Sequence, residues 1–201
     1  MRTLGVVVWS ALVLGLGASL AHAKGEYSRP GPHASLQVVF AIPTWEDALR
    51  GQIALAAPAA APADLSMSGG LDLRVGYRFH ERVAAEMGFD WVSAYGIGQL
   101  GADTGEAANW MYYVDAKLYL ATETIQPFLL LGMGAYHLDY AVRGTPVLLD
   151  ATSFSPRFGG GVDYHIDYRF GLTAEIDYVI GTRQLVNRDR VSVSVGAFFR
   201  Y

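Results

Sequence analysis

The stretch Val191-Ser192-Val193-Ser194-Val195-Gly196-Ala197-Phe198-Phe199-Arg200-Tyr201 ends the sequence and alternates apolar with mostly polar residues. Its odd-numbered positions hold Val, Val, Val, Ala, Phe and Tyr, whereas its even-numbered positions hold Ser, Ser, Gly, Phe and Arg. A period of two is typical of a β-strand with two different faces. Because chain termini usually fray, a strand that runs to the last residue is expected to pair with another strand.

Seven further segments also have the character of strands. With the last stretch they make eight, at 34–43, 67–79, 83–93, 110–120, 126–140, 154–166, 168–180 and 190–201. Most are about 10 to 15 residues long, which exceeds the usual soluble strand and suits a tilted membrane strand. The alternation is clear in most of them, although the fifth is apolar on both faces. The register of that fifth strand therefore stays open.

The connections between these segments alternate in length. The longer ones are 44–66, 94–109, 141–153 and 181–189, and the shorter ones are 80–82, 121–125 and residue 167. Long loops on one side and tight turns on the other are typical of an up-and-down membrane barrel. We therefore predict an all-β fold, an eight-stranded antiparallel transmembrane up-and-down β-barrel. A soluble barrel of lipocalin type is the rival, and it would place its apolar residues inside.

The aromatic residues fall at two heights along the predicted strands. Near the tight turns we place Tyr77, Phe79, Phe128, Tyr164, Phe170, Phe199 and Tyr201. Near the long loops we place Trp45, Trp91, Trp110, Tyr112, Tyr136, Tyr140 and Tyr178. Two such groups separated by aliphatic residues match the aromatic girdles of a membrane barrel.

The first 23 residues have the three parts of a secretory signal peptide. Arg2 is followed by an apolar run over residues 4–20, and Ala21-His22-Ala23 fits a small-x-small cleavage site. The run is at the lower limit for a spanning helix. We expect residues 1–23 to be a cleaved signal peptide and residues 24–201 to form one barrel domain.

Composition excludes several classes of function. The chain has no Cys, so it can form neither a disulfide nor a lipid-anchored N-terminus. Its net charge is −4, and no basic cluster occurs, which argues against nucleic-acid binding. No metal-ligand spacing stands out. We expect no metal and no cofactor.

Charged residues recur on the face that alternation directs toward the lumen. They are seven acids and five bases: Asp72, Arg74, Arg78, Glu86, Asp90, Asp115, Lys117, Arg157, Asp163, Glu175, Asp177 and Arg200. Because isolated charges are costly inside a narrow barrel, a structural network of ion pairs is expected. The alternative interpretation is a gated ion path through the lumen.

A hydrolase would need a nucleophile, a base and an acid in mutual contact. His165 follows Asp163 on the sixth strand, and Ser192 and Ser194 lie on the eighth. Alternation directs all four side chains into the lumen, where a lipid substrate would not reach them. We therefore expect no catalytic residues.

Three further segments carry a family resemblance. Gln126-Pro127-Phe128-Leu129-Leu130-Leu131-Gly132-Met133-Gly134-Ala135-Tyr136 is similar to a Pro-aromatic-x-x-x-Gly-x-Gly strand. Phe158-Gly159-Gly160-Gly161-Val162-Asp163-Tyr164 and Leu172-Thr173-Ala174-Glu175-Ile176-Asp177-Tyr178 follow it. With the aromatic C-terminus, these segments resemble the small eight-stranded outer-membrane barrels typified by OmpA, OmpX, Ail and the opacity-type surface proteins. The resemblance covers the barrel only.

The resemblance implies an integral protein of the outer membrane of a Gram-negative bacterium. It also implies that the barrel assembly machinery reads the C-terminal strand through Val195, Ala197, Phe199 and Tyr201. We expect a non-enzymatic, monomeric protein that contacts outer-membrane lipid and contributes to envelope structure, or to surface interaction through its long loops. A small gated pore and a lipid-modifying enzyme are the alternatives.

Overall fold

The computed structural model describes residues 27–44, 64–65, 67–99, 102–142 and 148–201. Their eight long strands are β1 Gly31–Pro43, β2 Ser68–His80, β3 Val83–Gln99, β4 Ala102–Tyr119, β5 Ile125–Val142, β6 Leu148–His165, β7 Phe170–Val179 and β8 Arg190–Arg200. The eight predicted segments correspond to these strands one for one. The expected signal peptide, residues 1–23, lies outside the described residues.

The eight strands form a closed antiparallel barrel. Each strand pairs with its neighbours along the chain, and β8 also pairs with β1. That last pairing runs from His33 opposite Arg200 to Pro43 opposite Arg190. Closure gives the backbone groups of both end strands a partner, which a sheet in hydrocarbon requires. The prediction that the last strand pairs and closes the sheet is confirmed.

The barrel has the inside-out polarity of a membrane protein. Large apolar side chains on every strand are exposed, including Leu131 at 68% and Leu73 at 57%. The residues between them face inward, and many are polar or charged. This is the reverse of the lipocalin-type rival, because apolar side chains contact lipid while polar ones are enclosed. Among the described residues, no helix is long and apolar enough to cross a membrane.

Strands β3 to β6 are longer than the sequence indicated. Residues 94–109 and 141–153 were expected to be loops, but the strands continue to Gln99 and Val142 and resume at Ala102 and Leu148. The β3–β4 pairing contains irregularities near Val92 and Ile97. Bulges of this kind interrupt the alternation of faces, so the period-two pattern of β3 and β4 ends before their backbone pairing does. A short additional strand, Asp64–Leu65, pairs with Ile97 and Gly98 near the long-loop end of β3.

The register of β5 is now resolved. Phe128 and Leu130 are buried in the interior, whereas Leu129 and Leu131 face outward. Phe128 and Tyr136 are therefore interior residues, and placing them in the aromatic girdles was wrong. Trp45 lies outside the described residues, as does the side chain of Tyr140.

The turn between β6 and β7 spans residues 166–169, which is longer than the single residue expected. The carboxylate of Asp167 accepts hydrogen bonds from the backbone N–H of Arg169 at 2.6 Å and of Phe170 at 2.8 Å. The hydrogen bond from the Phe170 N–H, and to a smaller extent that from Arg169, stabilises the ionised carboxylate. Both therefore hold the pKa of Asp167 below its ordinary value. This side chain thus shapes the turn by replacing a backbone acceptor.

Candidate functional site

The barrel interior is the most elaborate polar feature of the molecule. All twelve charged residues assigned to the lumen by alternation are buried there. Arg190 was missed, although it lies on the inward face of β8 two residues before Ser192. With Arg190 included, seven acids face six bases. The interior is therefore close to charge balance, as a desolvated site must be.

Arg74 on β2 occupies the middle of this interior. Its Nε donates to Oδ2 of Asp72 at 2.8 Å, and its Nη1 donates to Oε2 of Glu175 at 2.7 Å. The same Nη1 lies 3.7 Å from Oε2 of Glu86 on β3. Since Glu175 is on β7, Arg74 connects opposite walls of the barrel.

Arg157 on β6 shares the same acceptor. Its Nη2 donates to Oε1 of Glu175 at 2.8 Å and lies 3.5 Å from Oδ2 of Asp177. Its Nε lies 3.6 Å from Oδ2 of Asp115. Its guanidinium stacks 4.0 Å from the centroid of the Tyr113 ring. These contacts fill the cross-section of the lumen between β4, β6 and β7.

Glu86 links the next layer toward the tight turns. Its Oε1 lies 3.1 Å from Nζ of Lys117 and 2.8 Å from Nε2 of His33. The ammonium group of Lys117 also lies 4.2 Å from the centroid of the Phe128 ring. His33 was not expected in this network, although it shares the inward face of β1 with the buried Ser35 and Gln37.

Arg190 forms the layer nearer the long loops. It makes a buried ion pair with Asp90 on β3, and its Nη1 donates to Oδ1 of Asn109 on β4 at 2.5 Å. Acids on β2 and β3 and bases on β2 and β4 therefore make up only part of the network. Strands β6, β7 and β8 supply Arg157, Glu175 and Arg190.

The long-loop half of the interior also contains an apolar cluster, which the charge pattern did not reveal. Its buried residues are Val39, Ala41, Val92, Ala107, Met111, Tyr113, Tyr136, Leu138, Ala151, Val179 and Leu185. Leu185 comes from a short 3₁₀ turn, Arg183–Leu185, in the loop between β7 and β8, and it is fully buried. The loop therefore inserts an apolar side chain into the mouth of the barrel.

Hydrogen bonds hold this loop in place. Ser153 Oγ donates to the carbonyl of Thr182 at 2.6 Å. Asp189 accepts from the backbone N–H of Gly181 at 2.8 Å and from the Tyr178 hydroxyl at 2.5 Å. Its own carbonyl accepts from the N–H of Thr44 at 3.1 Å. Thr44, which directly follows β1, is thus tied to the loop between β7 and β8.

A small cavity remains at the opposite end of the lumen. Its volume is about 20 Å³, and His33, Asp163, His165, Thr173 and Arg200 are among its lining residues. That space admits roughly one water molecule. It is too small for a metabolite or a lipid chain.

Among the described residues, Asp163, His165, Ser192 and Ser194 do not form a catalytic triad. Ser194 Oγ donates to Oε1 of Gln37 at 2.8 Å, and Asp163 accepts from the Tyr119 hydroxyl at 3.0 Å. His165 instead packs its ring against Tyr27 and Phe198. Within the described parts of the chain, no group of three or more His, Asp or Glu residues is arranged to hold a metal ion.

A group of polar and aromatic side chains surrounds His137 on the outer surface. It was not predicted, because the cross-strand register that brings these residues together is not visible in sequence. His137 stacks on Trp110 with ring centroids 4.7 Å apart, and its Nδ1 is 2.9 Å from Oγ1 of Thr152. Its Nε2 is 3.9 Å from Oδ1 of Asp150. That distance is too long for a hydrogen bond, so Asp150 does not orient the imidazole as a triad acid would.

Comparisons with known proteins agree with this architecture. The family model described as "Outer membrane protein beta-barrel domain" matches residues 10–199. Among curated proteins, none matches the chain by sequence. Solved structures of similar fold include Neisserial surface protein A, at 14% identity and a TM-score of 0.61, covering 85% of this chain and 97% of that one.

Two further solved structures have the same fold. OprG from Pseudomonas aeruginosa is 11% identical with a TM-score of 0.56, covering 88% of this chain and 98% of that one. The attachment invasion locus protein Ail of Yersinia pestis is 14% identical with a TM-score of 0.53, covering 86% and 100%. At these identities the likeness extends to the fold alone.

Proposed function

This chain belongs to the outer membrane protein β-barrel family, and we propose that it is a non-enzymatic, non-conducting barrel that contributes to envelope structure and presents its long-loop end to partners at the cell surface. It is an integral outer-membrane protein of a Gram-negative bacterium.

The filled interior is the observation that carries the non-conducting part. Arg74 and Arg157 connect facing walls through Glu175, and Leu185 occupies the long-loop mouth. A permeating ion needs ligands that replace its hydration shell along a continuous path. Cross-lumen ion pairs leave little room for such a path, since the cavity beside them holds about one water molecule.

Planar-bilayer recording tests this directly. The purified barrel should leave the conductance of the bilayer at its protein-free level across a range of voltages. A variant with Glu175→Gln, which weakens the cross-lumen ties without removing side-chain volume, should stay equally silent. Discrete stepwise openings in the parent protein would contradict the closed lumen and favour the gated pore.

The length of β3 to β6 supports a surface role. These strands have 17 or 18 residues, compared with 10 to 13 in the other four. A strand of that length spans roughly 60 Å, or about 45 Å along the membrane normal when tilted near 40°, whereas the apolar band is about 25 Å tall. Since the tight turns are at the other end, the excess length projects on the long-loop side.

Thiol labelling of intact cells tests the orientation. The chain has no native Cys, so single substitutions can be read without background. Gln184→Cys in the β7–β8 loop should react with a membrane-impermeant reagent, whereas Glu81→Cys in the β2–β3 turn should react only after the outer membrane is opened. The reverse pattern would place the projecting strands in the periplasm.

Lipid analysis tests the non-enzymatic part. Outer-membrane lipids from cells with and without the protein should have the same mass profile. The His137→Ala variant, which removes the surface imidazole, serves as a comparison. A change in lipid mass that appears with the parent protein and disappears with His137→Ala would establish an enzyme instead.

A further inference from the structure

The residues just before β1 lie across the tight-turn end of the barrel. Tyr27 and Ser28 form a turn, and Ser28 is 3% exposed although it lies only three residues before the first strand. The Tyr27 ring approaches the His165 ring, with centroids 5.4 Å apart. Because His165 ends β6, the segment reaches well away from its own strand.

Hydrogen bonds to backbone carbonyls hold this segment from two sides. Arg200, on β8, donates through Nη1 to the carbonyl of Tyr27 and through Nη2 to the carbonyl of Arg29. Gln126, on β5, donates through Nε2 to the same Tyr27 carbonyl at 3.2 Å. In a closed ring of eight strands β5 lies opposite β1, so contacts to both β8 and β5 require the segment to cross the opening.

One of the two donors, Gln126, is itself held by a neighbour. Arg78 Nη1 donates to Oε1 of Gln126 at 2.7 Å, which orients the amide so that its NH₂ group faces the segment. The guanidinium of Arg78 lies 3.9 Å from the centroid of the Tyr119 ring. The carbonyl of Tyr27 therefore meets an amide donor that Arg78 already orients. The guanidinium of Arg200 is also largely buried. Losing its two acceptors, the carbonyls of Tyr27 and Arg29, would therefore leave it desolvated without hydrogen bonds, which costs free energy.

We propose that residues 27–29 form a strap that closes the tight-turn end of the lumen over the small cavity, with Arg200 and Gln126 as its two attachment points. His165 and Arg200 contact the strap and also line the cavity. The strap joins the seam between β1 and β8 to the opposite wall. The strap goes beyond the proposed function, because the closed lumen on which that function rests already has a separate seal at Leu185.

Thiol access to the cavity tests the strap. Thr173 lines the cavity and is 3% exposed, so Thr173→Cys places a small reporter beneath the strap in a chain that has no other Cys. The protein is refolded in detergent, and its reaction with a small polar thiol reagent is followed. In the parent background the reporter should react slowly, because both ends of the lumen are closed.

Two variants release the strap in different ways. One begins at Pro30 and so lacks the strap while keeping every barrel strand, and the other combines Gln126→Ala with Arg200→Gln. Each should label about tenfold faster or more, because labelling follows the open population and each variant removes the hydrogen bonds that keep the strap closed. Arg169→Gln, in the neighbouring exposed turn, is the matched control and should label at the parent rate.

Only variants that keep the compact barrel form in cold detergent are compared. The variant that begins at Pro30 decides the outcome if the double substitution fails to fold, because it alters no strand. Labelling of this folded variant at the parent rate would overturn the strap. Bilayer conductance is a separate readout, so a silent bilayer together with fast labelling would support both the strap and the independent seal at Leu185.

Discussion

At the residue scale, Arg74 is the cation on which the central ion pairs converge. Replacing Arg74 with Met would leave Asp72 and Glu175 buried without their main partner. Removing one member of a buried pair costs about 3–5 kcal/mol, so R74M should lower the free energy of unfolding by about that much. Denaturant titration in lipid vesicles measures the change.

Arg82 provides the matched control for Arg74. Its side chain is exposed in the β2–β3 turn, 4.0 Å from Glu81. Surface ion pairs of this kind contribute about 0–1 kcal/mol, so R82Q should change the stability by no more than that. Equal losses for R74M and R82Q would show that the interior pairs add nothing to stability.

Gly132 lies on the inward face of β5, where the packed interior leaves no room for a side chain. An ideal Cβ at this position would collide with Oδ1 of Asp115 and would lie 2.6 Å from the carbonyl oxygen of Val114. Overpacking of this kind costs about 1–3 kcal/mol, so Gly132→Ala should destabilise the barrel by that amount.

Gly69 is the control for Gly132, because a Cβ there would meet only the carbonyl oxygen of Val39, at 3.9 Å. Gly69→Ala should therefore be neutral or stabilise by up to about 0.5–1 kcal/mol, since glycine is costly within a strand. Comparison of the two unfolding midpoints checks both expectations. A larger loss at Gly69 than at Gly132 would contradict the packing assigned to β5.

At the element scale, the outward face of β5 has a defined apolar height. Leu129, Leu131 and Met133 are exposed in its middle, and His137 is the first ionisable residue beyond them. Leu131→Arg places a cation near mid-membrane and should cost about 2–4 kcal/mol, whereas Ile125→Arg at the strand end should cost about 0–1 kcal/mol. Unfolding in vesicles distinguishes the two variants, and equal penalties would count against the assigned depth.

The strand limits that the alternation missed lie at the long-loop ends of β3 to β6. Near the turns, lipid on one side and a polar lumen on the other impose strict alternation. Beyond the membrane this contrast disappears, and the stretch Tyr95-Gly96-Ile97-Gly98 pairs through an irregular register. Backbone pairing continues there without the side-chain pattern on which sequence analysis depends.

At the scale of the whole molecule, barrel closure depends on the last strand. Phe199 lies opposite Ala34 of β1 and Phe170 of β7, and its ring centroid is 4.9 Å from that of Phe170. The backbone N–H of Tyr201 donates to the carbonyl of Pro32 at 3.1 Å. The final residues therefore tie both neighbouring strands together.

Deleting Phe199 to Tyr201 should lower the amount of folded, membrane-inserted protein and raise its degradation. The deletion leaves backbone groups of β1 and β7 unpaired in hydrocarbon, where each costs several kcal/mol. Arg200→Gln keeps the backbone and should be milder. Cell fractionation with cold-detergent electrophoresis measures the result, and normal levels of compact truncated protein would be the contrary finding.

The sequence by itself determined the all-β class, the eight long strands and, outside β5, which side chains face inward. These properties follow from the alternation of side chains along each strand. The alternation is visible in a short segment, because odd and even positions face lipid and lumen in turn. Only the tertiary structure decided the register of β5, the apolar seal at Leu185 and the contacts of Arg200 with the segment before β1. Arg74 and Glu175, 101 positions apart, meet because closing the sheet sets the stagger of all eight strands together, and no single segment carries that information.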